Sequence, residues 1–187
     1  MTRNHRRTLR VYGADRACGC TDTRLVRPVE PLDRDAVKRA VDGVRPKGDT
    51  PIGVSPRGAA QERPEPAGGA IGTRTILLIS DGEDNCGTPE PCRVAEQLAR
   101  AGVGLRIDTV GFQVKGAARE QSECVAAAGN GRYYDAPDAD APAPAGRTAT
   151  VRTPAARAAS GTTNASASRR EPFRCGVGGA NVLLRLH

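Results

Sequence analysis

The sequence predicts an α/β domain built on a doubly wound, mostly parallel sheet with one antiparallel edge hairpin. Three observations lead there. Strand-like and helix-like patterns alternate from Leu9 to Tyr134, as they do when helices cross between parallel strands. Thr75 to Ser80 is a nearly unbroken apolar run that ends in a polar turn, which fits a strand covered on both faces. Two short strand patterns near the front flank a Cys/Gly/Asp-rich turn, the arrangement of a hairpin.

The hairpin strands are Leu9 to Gly13 and Thr23 to Val29. A helix follows over Asp33 to Val44. Ala36, Val37, Ala40, Val41 and Val44 share one face, Asp33 is placed to cap its start, and Pro46 bars continuation. Thr50-Pro51 has the form of a helix start, with Thr as N-cap and Pro at the first helical position. Pro56, flanked by Gly53 and Gly58, then falls inside that helix. An interior Pro costs about 3 kcal/mol and each Gly about 1 kcal/mol, so this helix should be short, kinked or frayed. Beyond the strand at Thr75 to Ser80, a helix over Pro91 to Ala101 closes at Gly102. A strand over Leu105 to Phe112 and a helix over Ala117 to Ala128, closed by Gly129, come next. Arg132 to Tyr134 is a short last strand.

Charge and composition divide the chain into three zones. Residues 1–8 are a basic leader of charge +3, residues 9–135 form a neutral domain, and residues 136–187 carry +4. The net charge of +7 therefore belongs to the tails. A nucleic-acid reader would carry a basic face on its folded part, with aromatics for stacking. Aromatics make up only 3% of this chain, so no specific nucleic acid is expected as a partner. In the last zone Ala, Arg, Gly, Pro, Thr and Ser supply 38 of 52 residues. Such a segment buries too little apolar surface to offset its ordering entropy and is expected to be disordered. No apolar run reaches the ~18 residues of a membrane span, so no transmembrane segment is expected. No apolar stretch of signal-peptide length follows the basic start.

Ligands of open α/β sheets bind outside the carboxyl ends of the strands. Ser80-Asp81-Gly82-Glu83-Asp84-Asn85 stands there, just past the apolar strand. A hard cation takes oxygen ligands. Asp81 is the natural carboxylate, and Thr50, in another loop, offers a hydroxyl to the same ion. The plainer alternative is that Asp81 caps its turn while Glu83 and Asp84 are solvated. Nothing points to an enzyme. The only histidines, His5 and His187, lie in the tails, and no Gly-rich phosphate loop follows a strand.

Lys47-Gly48-Asp49-Thr50-Pro51-Ile52-Gly53, then Thr75-Ile-Leu-Leu-Ile-Ser-Asp-Gly-Glu-Asp84, then Asp108-Thr-Val-Gly-Phe112 resemble the von Willebrand factor A domain in order and spacing. The resemblance is to bacterial members and covers roughly residues 9–135. It implies a Rossmann-like sheet, a protein ligand, and a metal-ion-dependent adhesion site for Mg2+ or Mn2+ built from three loops. Thr50 and Asp81 match the second and third pieces of that site. The first piece, Asp-x-Ser-x-Ser, follows the first, central strand of the family's sheet, and here both are missing. A gap in the middle of the sheet would expose unpaired backbone groups on the two strands beside it. One hydroxyl and one carboxylate are too few to hold a divalent ion tightly. The expected function is thus a non-enzymatic, adhesion-type protein-binding domain with an incomplete metal site that binds Mg2+ or Mn2+ weakly or not at all. Two alternatives stand beside it. One is a non-functional fragment or frameshifted product of a longer relative, since the composition changes abruptly after Asp138-Ala139-Asp140-Ala141. The other is a binder of anionic surfaces acting through its tails.

Cys86 and Cys92 bound a short loop just after the acidic turn. A disulfide between them would pin that loop and would favour an extracytoplasmic location for an intact parent protein; free thiols in a reducing cytosol are the alternative. Cys124 is a further partner for Cys18 or Cys20, or a small buried residue. A zinc site from Cys18, Cys20, Cys86 and Cys92 has spacers of one and five residues, outside the usual two to four. Cys175 is left without an assignment.

Overall fold

The hairpin forms where the alternation places it. The computed structural model describes residues 6–62, 74–101, 104–137 and 181–186. Strand β1 (Arg6–Tyr12) pairs antiparallel with β2 (Thr23–Pro31), and the register shifts on both sides of Leu9. Helix α1 (Arg34–Asp42) begins as expected: the Asp33 carboxylate accepts the Ala36 N–H at 2.9 Å, satisfying one of the free donors of the first turn.

The next helix differs from the sequence expectation. Thr50-Pro51 does not start it. The chain turns first, with the Ser55 N–H and Oγ both on the Pro51 carbonyl at 3.1 and 2.8 Å. Helix α2 (Ser55–Gln61) then begins with Pro56 in its first turn. There the missing N–H costs nothing, because first-turn donors have no partner within the helix. Gly58 has its own reason. A Cβ at this position would come within 2.9 Å of the Arg10 guanidinium carbon, and Arg10 reaches past it to Glu62, Nε to Oε1 at 2.7 Å.

Strand β3 (Arg74–Ser80), helix α3 (Pro91–Ala101), strand β4 (Leu105–Phe112), helix α4 (Gly116–Ala128) and strand β5 (Tyr133–Ala136) follow in the predicted alternation. Strands β3, β4 and β5 are parallel neighbours in this order. Ile76 and Leu78 of β3 stand in register with Ile107 and Thr109 of β4. Ile76, Leu78 and Ile107, with Tyr12, Ile52, Ala59, Ala95, Leu105 and Val125, form the core between the sheet and helices α2, α3 and α4.

The expected gap in the sheet is filled. Strand β6 (Asn181–Leu186) lies between β1 and β3 and is antiparallel to both, giving the order β2-β1-β6-β3-β4-β5. Leu184 stands opposite Leu9 on one side and Leu77 on the other. The reading of residues 136–187 as a disordered tail is therefore corrected at both ends: Ala136 closes β5, and residues 181–186 are a strand inside the sheet. The rest of that reading, residues 138–180 and 187, lies outside the described residues. The physical reason is local. Four of the seven Val, Leu and Phe residues in the last 52 are packed into Val182-Leu183-Leu184 and Leu186, and averaging over the whole segment hides them. No described helix is long and apolar enough to cross a membrane.

Gly131 shows how closely β4 is packed at the turn before β5. A Cβ there would collide with the Ile107 carbonyl oxygen. Gly131→Ala should therefore lower stability by about 1–3 kcal/mol, read from the denaturant midpoint. An unchanged midpoint would contradict this packing.

Candidate functional site

Because β6 is antiparallel to both neighbours, β1 and β3 run in the same direction. The carboxyl ends of β1, β3, β4 and β5 therefore share one edge of the sheet. Three loops gather there. Gly13, at φ +67°, turns the chain sharply after β1, and its carbonyl accepts the N–H groups of Lys47 and Gly48 at 2.9 and 3.1 Å. This fixes the loop after α1 against the end of β1. The loop after β3 is then tied to it by two side chains. Asn85 Oδ1 accepts the Thr50 N–H at 2.8 Å. Asp84 Oδ2 accepts the Gly53 N–H at 2.9 Å.

Asp84 also organises its own turn. Its Oδ1 accepts the N–H groups of Cys86 and Gly87 at 2.6 and 3.1 Å, and its own N–H donates to Gln121 Oε1 on α4 at 2.7 Å. Asp49 braces the third loop. Its Oδ2 accepts the Gly19 N–H at 2.9 Å, and its Oδ1 accepts Asn85 Nδ2 at 3.3 Å. Asp22, buried in the hairpin loop, accepts the N–H groups of Asp15 and Arg16 at 2.9 Å each. These carboxylates supply acceptors that backbone donors in irregular loops otherwise lack.

Both residues picked as metal ligands lie in these loops. Thr50 is buried, and its N–H is committed to Asn85. Asp81 is exposed at the start of the loop after β3. Partial burial raises its carboxyl above the ordinary value, and a backbone hydrogen bond within the residue opposes this. The folded state thus favours the protonated form. Ionised Asp81 works against the fold, an effect absent below its ordinary pKa, growing as pH rises from there to the raised one and constant above it. Beneath it, the Tyr12 hydroxyl donates to the Ile79 carbonyl at 2.9 Å. Burial, with the negative charge of Asp81 and Asp84 nearby, pushes this phenol far above its usual range, and a hydrogen bond with Ser80 pulls the other way. Tyr12 is a neutral, fixed post under the acidic loop.

One disulfide joins two of these loops and a second joins helices α3 and α4, in pairings other than the one expected. Cys86 bonds Cys20 across a Cα separation of 5.4 Å, and Cys92 bonds Cys124 across 5.7 Å. Cys92 lies in the first turn of α3 and is turned to α4, so it cannot close a loop back to Cys86. The same pairing rules out the four-cysteine zinc arrangement in this state. Cys18 is also disulfide-bonded; Cys175 lies outside the described residues. The bridges span 66 and 32 residues, for which chain entropy gives about 4 kcal/mol each.

Sequence reasoning named the acidic loop but missed what Asp84, Asn85 and Asp49 do. A carboxylate or amide beside Gly and Pro in a turn is the general signal for such bracing. It does not say which distant loop is braced. No family model and no solved structure matches the chain. The chain is similar to the uncharacterized protein YwmD of Bacillus subtilis (strain 168). The two are 29% identical over 140 residues, covering 71% of this chain and 61% of YwmD. The chain thus spans less than two-thirds of that relative.

The bracing role has a direct check. Asp84→Ala removes three acceptor contacts and should cost on the order of 3 kcal/mol. Glu83→Ala, at an exposed neighbour, should stay within about 0.5 kcal/mol. Equal effects of the two in thermal unfolding would contradict the assignment.

Proposed function

We propose that this chain is a non-enzymatic protein-binding module of the von Willebrand factor A type, with a Rossmann-like sheet and an incomplete metal-ion-dependent adhesion site. One observation carries the reading. The loops holding Thr50 and Asp81 are joined at the carboxyl edge of the sheet through Asn85 and Asp84, where ligands of such sheets bind. The rigid, disulfide-stapled loops suit recognition of a protein surface, since little ordering remains to be done on binding. Disulfides also favour an extracytoplasmic setting.

The residues present do not fit a resident Mg2+ or Mn2+. Both oxygens of Asp84 are engaged by backbone N–H groups, and Asn85 Oδ1 is engaged by Thr50. The two residues expected as ligands, Thr50 and Asp81, offer one hydroxyl and one carboxylate, too few to hold a divalent ion tightly. Binding by this edge therefore rests on its own polar rim.

The test has two arms. Calorimetric titration with Mg2+ and Mn2+ should show weak heats or none; micromolar affinity would contradict an incomplete site. Extracellular proteins retained by the immobilised chain should remain bound in chelator and be lost from an Asp81→Arg/Glu83→Arg variant. They should be kept by an Arg34→Glu variant on α1. Equal retention by all three would contradict recognition through the acidic edge.

A further inference from the structure

Three side chains with metal-binding chemistry meet where the braced loops cross. They are Cys20 from the hairpin loop, Asp49 from the loop after α1, and Cys86 from the loop after β3. The two sulfurs and one Asp49 carboxylate oxygen all lie within 4.8 Å of one another, the one such cluster of three among the described residues. Asp49 and Cys86 are 5% and 6% exposed. In the present state the sulfurs are bonded to each other and have no thiolate to offer.

We infer that reduction of the Cys20–Cys86 disulfide converts this cluster into a Zn2+ site with two thiolates and the Asp49 carboxylate as ligands. The inference does not rest on the proposed adhesion function. The chemistry balances with an external dithiol as reductant. The dithiol gives two electrons and two protons to the Cys20–Cys86 bond and becomes a disulfide itself. Zn2+ then displaces the two thiol protons as it binds.

The geometry is close to what zinc needs. Zn–S bonds of about 2.3 Å and Zn–O bonds of about 2.0–2.2 Å place tetrahedral ligand atoms roughly 3.5–3.8 Å apart. Side-chain rotation supplies the remaining shift, because the ligands sit on three loops already held together. The Asp49 carboxylate accepts one hydrogen bond on each oxygen, from the Gly19 N–H and from Asn85 Nδ2, so each oxygen keeps a lone pair for the metal. Such supporting hydrogen bonds commonly orient a metal ligand. A water completes the set. Two soft sulfur donors favour Zn2+ over Mg2+ or Ca2+. The Cys92–Cys124 bridge has no comparable third ligand among the described residues. The consequence is a redox-selected choice. Oxidised, the loops carry a covalent staple; reduced, they carry a metal staple at the same point, and each state excludes the other.

The full chain carrying Cys92→Ser and Cys124→Ser would be reduced anaerobically, freed of reductant and titrated with Co2+. Thiolate-to-cobalt charge-transfer absorption should develop to one metal per chain and be displaced by Zn2+. Asp49→Asn should weaken binding by about tenfold or more, Cys20→Ser should abolish the absorption, and Cys18→Ser should leave it unchanged. Absence of the absorption in a reduced chain with native circular dichroism would overturn the site. So would unweakened binding by Asp49→Asn, or dependence on Cys18 instead of Cys20. If a serine variant fails to fold, a second measurement decides. Zn2+ should slow re-formation of the Cys20–Cys86 bridge in the unsubstituted reduced chain, followed by mass spectrometry of linked peptides. An unchanged rate would also overturn the inference.

Discussion

Pairing of β6 with both β1 and β3 makes one sheet out of two pieces. The hairpin β1–β2 and the parallel set β3–β4–β5 have no ladder with each other, and β6 stands between them along its whole length. Without it, the facing backbone groups of two largely buried strands would have no partners, and each such group costs about as much as a lost hydrogen bond. The position of β6 also fixes the edge that carries the candidate site. An antiparallel strand in the middle keeps β1 and β3 running the same way, so their carboxyl ends open on one side. Everything proposed about binding depends on that shared edge.

On the edge, organisation passes from backbone ladders to side-chain bracing. Asp84, Asn85 and Asp49 take up donors that irregular loops cannot satisfy themselves, and two disulfides add covalent ties in the same region. The acidic character of the loop after β3 thus has two parts. Asp84 is spent inside the structure, while Asp81 and Glu83 face solvent.

Much of the fold was legible because its signals were local. Thr75 to Ser80 reads as a buried strand from six residues alone, and Pro91 to Ala101 and Leu105 to Phe112 match the observed elements at both ends. What was not legible depends on distant parts of the chain. Val182-Leu183-Leu184 has strand character, but its partners lie more than a hundred residues earlier and its surroundings dilute it. Pro56 looked like a defect until the helix start moved to Ser55. Of the site, Thr50 and Asp81 could be placed at the edge. The bonds of Asp84, Asn85 and Asp49 could not, nor could the pairing of Cys86 with Cys20, because short sequence spacing says little about which loops meet in space.

The central claim is that β6 joins the two halves of the sheet. Hydrogen exchange of the backbone amides resolved along β1 and β3 tests it most directly. The account predicts that amides of β1 and β3 directed at β6 exchange as slowly as those in the β3–β4 ladder, in one cooperative unit. Fast exchange confined to the β6-facing amides, with the β3–β4 ladder still protected, would mean that the strand does not occupy the gap. It would contradict the account.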